Sequence, residues 1–214
     1  MELEMMRERK AYRFWYTILT PFFRAFYWIR PMGRENIPAG AAVVCANHSS
    51  WIDPVLIAVA FGRENTIHMM AKRELFNYII LKGFLKVVGM FPVHREKKDI
   101  KAVKTAMKYL TSGEKVGIFP EGTRRHRDNE VDAKTGAVRI AEKTNVPIVP
   151  VYIPRRKNMM TPFDVIIGTP YFVNADGRKM SAEDFEEAAK ELMNRIGSLN
   201  PAGQEKENHE DPHR

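Results

Sequence analysis

Three short apolar runs in this chain of 214 residues stop abruptly in polar groups. AAVVCA at 41–46 ends in Asn47, His48 and Ser49; FPV at 91–93 ends in His94 and Arg95; VGIFP at 116–120 ends in Glu121, Gly122, Thr123 and Arg124. Apolar runs of that length, bounded by turn and polar residues, read as buried strands. Similar runs at 66–71, 148–153 and 165–167 predict further strands. Helical patterns fall between them. Residues 54–61 are apolar, 74–88 carry two short helical patterns, and 135–144 end at Asn145, a plausible stop. Ile100, Val103, Met107 and Leu110 lie at helical spacing before Gly113, and Ser181 opens a Ser-Ala-Glu-Asp start to a last helix. Strands alternating with helices place the chain in the α/β class. In such folds functional groups gather beyond the carboxyl ends of the strands, so one site assembled from the three polar clusters is geometrically natural.

The length allows one domain with its own core, needing neither disulfide nor metal. Cys45 is the single cysteine, which excludes an intrachain disulfide framework and a cysteine-based zinc site. The formal charge of +8 and a pI near 9.6 favour an anionic partner such as nucleic acid, anionic membrane or a phosphorylated substrate. The first thirty residues, MELEMMRERKAYRFWYTILTPFFRAFYWIR, narrow that choice. Tyr12, Phe14, Trp15, Tyr16, Phe22, Phe23, Phe26, Tyr27 and Trp28 are interleaved with Arg7, Arg9, Lys10, Arg13, Arg24 and Arg30. Rings and cations together suit a bilayer interface, although a helix packed on the core is the plainer reading. Pro21 is expected to divide the segment into two short helices. Neither a signal peptide nor an uncharged stretch long enough to span a bilayer is evident.

His48 and Asp53 are five residues apart. That is the wrong interval for one helical face, but it suits a histidine at a strand end and an aspartate reaching back from the next helix. A carboxylate on one imidazole nitrogen fixes the tautomer and stabilises the imidazolium when the other nitrogen takes a proton. Asp53 before Pro54 equally reads as an N-cap followed by proline at the first helical position; both readings can hold together. No Gly-x-Ser-x-Gly elbow and no His-Glu-x-x-His pattern occurs. A catalytic His48 would therefore act directly on a substrate hydroxyl. Arg95 and Arg124, placed after strands, suit bidentate phosphate binding, and Lys72 would add a point charge.

NHSSWID at 47–53 resembles the first signature block of the glycerolipid acyltransferases, with its embedded His-x4-Asp. GMFPVHR at 89–95, FPEGTR at 119–124 and VPIVPV at 146–151 resemble their second, third and fourth blocks, in the same order. The short length is most like the bacterial 1-acylglycerol-3-phosphate acyltransferases. The resemblance implies a single α/β domain with a mixed central sheet flanked by helices. It implies acyl transfer from acyl-CoA or acyl carrier protein to the free hydroxyl of lysophosphatidic acid, making phosphatidic acid, with no metal or other cofactor. By carry-over, His48 is the base and Asp53 orients it. Arg95 and Arg124 hold the phosphate, with Lys72 nearby; Glu121, Gly122 and Thr123 shape that pocket; Pro147 and Ile148 line an acyl groove or support the sheet. Two departures stand out: His94 precedes Arg95 where the family often has Asp, and Arg125, His126 and Arg127 follow the third block.

The expected organisation is interfacial helices at 1–30, an acyltransferase domain at 31–197 and a polar tail at 198–214. The protein is expected to sit peripherally on the cytoplasmic face of the cell membrane, on anionic lipid, without nucleic acid. A sibling reading keeps the chemistry and changes the acceptor to another lysophospholipid, glycerol-3-phosphate or an aminolipid. A hydrolase would use the same histidine with water, and a non-catalytic binding module would show no turnover.

Overall fold

The computed structural model describes residues 2–79, 82–83, 85, 89–94, 99–124, 133–174 and 176–201. Arg95, the 125–127 charge run, the tail from 202 and most of the second helical pattern before Gly89 lie outside the described residues. Strands β1 (Ile29–Met32), β2 (Ala42–Ala46), β3 (Ile67–Lys72), β4 (Phe91–Val93), β5 (Lys115–Ile118), β6 (Ile148–Tyr152) and β7 (Phe163–Ile167) form one sheet in the order β1-β7-β6-β2-β5-β3-β4. The five from β6 to β4 run parallel, whereas β7 is antiparallel to β6 and carries β1 with it. The sheet is therefore mixed.

Side chains alternate across the central strands, as a sheet buried on both faces requires. Ala42, Val44 and Ala46 of β2 join Val149 and Val151 of β6 under α2 (Asp53–Phe61). Val43, Cys45 and Ile148 face the opposite layer, made by α3 (Ile100–Thr111), α4 (Gly136–Thr144) and α5 (Ala182–Ser198). Cys45 is fully buried, and desolvation pushes its thiol up. The α4 helix ends as expected, with Asn145 left-handed at φ 49°. Ser181 and Asp184 close a capping box on α5.

The sequence reading needs three corrections. Strand β1 was not foreseen, because Arg30 and Pro31 interrupt its apolar character; Pro31 is tolerated because β1 is an edge strand. The chain enters the sheet at Ile29, before the expected domain boundary at 31. Pro21 does not split the N-terminal segment, which is one helix, α1 (Glu2–Phe26). Tyr12 and Thr20 are buried and Phe23 packs on the α2-side core, so contacts on both sides of the proline hold the helix together. Ion pairs from Arg9 to Glu114 and Arg13 to Glu64, and a hydrogen bond from the Tyr109 hydroxyl to Glu8 (3.3 Å), clip α1 to the body. On α3 the buried seam is Ala102, Ala106 and Leu110, whereas Ile100 and Val103 are 68% and 37% exposed. The alanines let α3 approach the sheet closely and turn the two larger side chains outward.

Pro147 and Ile148 lie far from the polar clusters. In register, Ile148 lies beside Val43, and His48 lies five residues further on, about 16 Å at the rise of a strand. Ile148 is fully buried in the layer that α5 covers, and the Pro147 carbonyl accepts a hydrogen bond from Val43 N (3.0 Å). Both residues support the sheet at the end remote from the polar clusters, and neither lines a groove there. Ile148→Ala is expected to lower the unfolding free energy by about 3 kcal/mol, measured in urea. A loss below about 1 kcal/mol would contradict a packed core position.

Candidate active site

The site begins where β2 runs out. Asn47 continues the ladder with its side chain: Nδ2 donates to the Ile153 carbonyl (2.7 Å) and Oδ1 accepts from Ile153 N (2.8 Å). This two-point pairing, buried from solvent, fixes the first residue beyond β2 against the first beyond β6 and so fixes where His48 starts. The His48 ring stacks on Phe119 at 4.0 Å and 19°, and both residues are buried.

Asp53 is the hub. Its Oδ2 accepts from His48 Nδ1 (3.0 Å), Ser49 N (2.7 Å) and Ser50 N (2.8 Å). Because Oδ2 accepts, Nδ1 carries the hydrogen, and Nε2 keeps its lone pair for a proton. The carboxylate points backward to amides that precede it, and α2 begins at Asp53 itself with Ile52 as its N-cap residue. The alternative of an N-cap at Asp53 followed by proline at the first helical position is thus displaced by one: Pro54 occupies the second position. Asp53 is fully buried. Burial opposes its charge, yet the His48 hydrogen bond, the Lys157 charge and the Ser50 amide outweigh burial and hold the carboxyl below its ordinary value.

Two cations from the segment after β6 complete the cluster. Lys157 Nζ lies 2.9 Å from Asp53 Oδ1 and donates to Ser49 Oγ (2.6 Å), its side chain only 4% exposed. Arg155 Nη2 donates to Glu121 Oε1 (2.8 Å), and Nη1 reaches the other Glu121 oxygen and the His48 carbonyl, both at 3.5 Å. Sequence reasoning missed both cations. PRRKN at 154–158 reads as a solvated basic loop, and nothing in its spacing ties Arg155 to Glu121, 34 positions earlier, or Lys157 to Ser49, 108 positions earlier. Pairing buried charges in this way is what makes their burial tolerable.

The third polar cluster divides in two. Glu121 turns inward and is buried against Arg155, so its carboxylate anchors the turn and faces no anionic ligand. Thr123 and Arg124 are exposed. Gly122 sits at φ +68°, and a Cβ there would lie 2.7 Å from Lys134 Cε, so the turn needs glycine. Lys72 stands at the carboxyl end of β3, half-exposed and 3.9 Å from Glu74. Beside Phe119 opens a groove of about 1180 Å³, lined by Met70, Val93, Ile100, Val103 and Ile118 together with the charged Asp99, Lys134, Arg139, Glu186 and Lys190, and by Gly122. Among the described residues no cluster of His, Cys, Asp and Glu fit to hold a metal ion occurs.

A depressed carboxyl makes a pH claim with a definite sign. Asp53 contributes stability that is fully present above the unfolded carboxyl range, near pH 4, and is lost as pH falls through its lower folded value. Urea unfolding followed into acid should therefore show a smaller acid-induced loss for Asp53→Asn than for the native chain. Identical pH slopes would remove Asp53 from the acid response.

Comparison with known proteins gives the same frame. The family model described as Acyltransferase matches residues 29–154. The 1-acyl-sn-glycerol-3-phosphate acyltransferase of Bacillus subtilis (strain 168) is 42% identical over 123 residues, which cover 57% of this chain and 60% of that protein. Its counterpart from Streptococcus pneumoniae (strain ATCC BAA-255 / R6) is 30% identical over 168 residues, covering 73% of this chain and 60% of that protein. The chain thus spans about 60% of the length of these curated relatives. The crystal structure of the 1-acyl-sn-glycerophosphate (LPA) acyltransferase PlsC from Thermotoga maritima shares the fold, with a TM-score of 0.60 at 24% identity over 86% of this chain and 74% of that one. The family match runs from β1 to the residue before Arg155 and takes in His48, Asp53 and the turn at Glu121. With more than half of its length so matched, this chain belongs to the Acyltransferase family.

Proposed function

We propose that this protein transfers a fatty acyl group from acyl-CoA or acyl carrier protein to the free hydroxyl of 1-acyl-glycerol-3-phosphate, making phosphatidic acid for phospholipid synthesis. The observation that carries the reading is the buried pair of His48 and Asp53, oriented with one imidazole nitrogen left to accept a proton. In this reading Nε2 takes the proton of the acceptor hydroxyl as the oxygen attacks the thioester carbonyl, and the imidazolium so formed is stabilised by the Asp53 carboxylate. The C–S bond then breaks, and the departing thiolate takes the proton back from the imidazolium and leaves as the thiol. No protein nucleophile is required. Arg124, exposed at the turn after β5, and Arg95 in the second sequence block are the groups for the acceptor phosphate. The groove beside Phe119, with Met70, Val93, Ile100, Val103 and Ile118 in its lining, offers room for an acyl chain. The relatives named above, which act on 1-acyl-glycerol-3-phosphate by their names, favour that acceptor over the sibling ones.

Both substrates partition into bilayers, and the outer surface of α1 suits that setting. Phe14, Ile18, Phe22 and Phe26 recur every four residues and are exposed, continued by Trp28, Met159 and Met160. No described helix is long and apolar enough to cross a membrane. In this reading the stripe lies in the interface of the cytoplasmic leaflet while the inner side of α1 stays packed on the body.

In mixed micelles of oleoyl-CoA and lysophosphatidic acid, the native protein is expected to form phosphatidic acid, and His48→Ala to lower the rate by about a thousandfold. Equal rates would reduce Asp53 to a local structural role, and CoA release without acceptor would favour a hydrolase. Ile18→Ser with Phe22→Ser is expected to cut co-sedimentation with anionic vesicles about tenfold while leaving the melting temperature nearly unchanged. Unaltered sedimentation would move docking elsewhere on the surface.

A further inference from the structure

We propose that Lys157 is a positioning residue that sets the pH range over which His48 can act as a base, by holding and partly neutralising the Asp53 carboxylate. The inference rests on the reading of His48 as the base. Its starting point is the division of one carboxylate between two partners: Oδ2 takes the imidazole and two amides, and Oδ1 takes the Lys157 ammonium at 2.9 Å. Ser49 ties the same ammonium to the loop that carries His48, through the 2.6 Å bond to its hydroxyl. Lys157 thus touches both the imidazole's own anchor, by an ion pair, and the loop that carries the imidazole, by a hydrogen bond.

The charges around the pair show why the ammonium matters. The 47–52 loop brings no charge besides His48, and α2 brings only Asp53. The turn after β5 brings Glu121, already paired with Arg155, with Arg124 exposed beyond it. The segment after β6 brings Arg155 and Lys157, with Arg156 exposed between them. Glu121 and Arg155 cancel each other, and Lys157 cancels Asp53. Among the described residues the imidazole therefore sits in a cluster with no net charge. Without the ammonium the cluster is anionic in a place that water does not screen, and an anionic site holds a proton on the imidazole more tightly. A base that keeps its proton cannot take the hydroxyl's. The Lys157 ammonium opposes that retention, at the cost of some stabilisation of the imidazolium that forms in the transfer.

The test is the pH profile of kcat/KM for acyl transfer to lysophosphatidic acid in mixed micelles. The native protein is compared with Lys157→Met, Lys157→Gln and Lys157→Arg, each checked for folding by circular dichroism, and with His48→Ala. The Met and Gln variants are expected to move the acid limb to higher pH by about one unit. The Arg variant, which keeps the charge, should retain the native limb even where its plateau rate is lower. A folded Met or Gln variant with an unmoved limb would overturn the inference while leaving the base reading intact, as would the same displacement in the Arg variant. Transfer that survives His48→Ala would overturn the base reading and this inference with it.

Discussion

A carboxylate removed entirely from water must be answered on every side, and Asp53 is answered by an imidazole, two backbone amides and an ammonium. Those partners come from the strand-end loop before α2 and from the segment after β6. Satisfying one charge therefore fixes the relative positions of both. The ring of His48 follows, because its plane is set by Asp53 on one edge and by Phe119 on its face. The turn after β5 is held by the same logic at one remove, through Glu121 and Arg155. Precision of this kind is what proton transfer at a defined atom demands.

The rest of the fold keeps these groups dry and aligned. Five parallel strands deliver the polar clusters to one edge of the sheet, and α2 covers the face on which Asp53 begins a helix. On the far face, small alanines at the α3 seam bring that helix down onto the sheet and leave Ile100 and Val103 beside the groove. The groove and the buried His48 ring thus share the Phe119 ring as their boundary.

Much of this was legible in the sequence because it is local. The strand ends, the Asn145 stop, the Ser181 cap and the His-x4-Asp interval are each decided by a few neighbouring residues. What escaped depends on partners distant in the chain. Pro21 is tolerated in α1 because of Tyr12 and Phe23, whose packing no helix propensity reveals. Strand β1 exists because β7 offers it an edge, although Arg30 and Pro31 give it no strand-like pattern. Lys157 and Arg155 read as surface cations because the charges that draw them inward lie on other elements. Motif resemblance named His48 and Asp53 and stopped short of the two cations that hold them.

The pairing of Asn47 with Ile153 spans 106 positions, so the loop that carries His48 is not locked until the chain has been made past β6. A nascent chain emerging from the ribosome carries His48 and Asp53 long before the strand that locks them. Its histidine then has neither the clamp on Asn47 nor the ammonium on Asp53. The order of synthesis thus separates possession of the reactive groups from their arrangement, and a chain cut off before β6 would hold every residue of the first motif without a site.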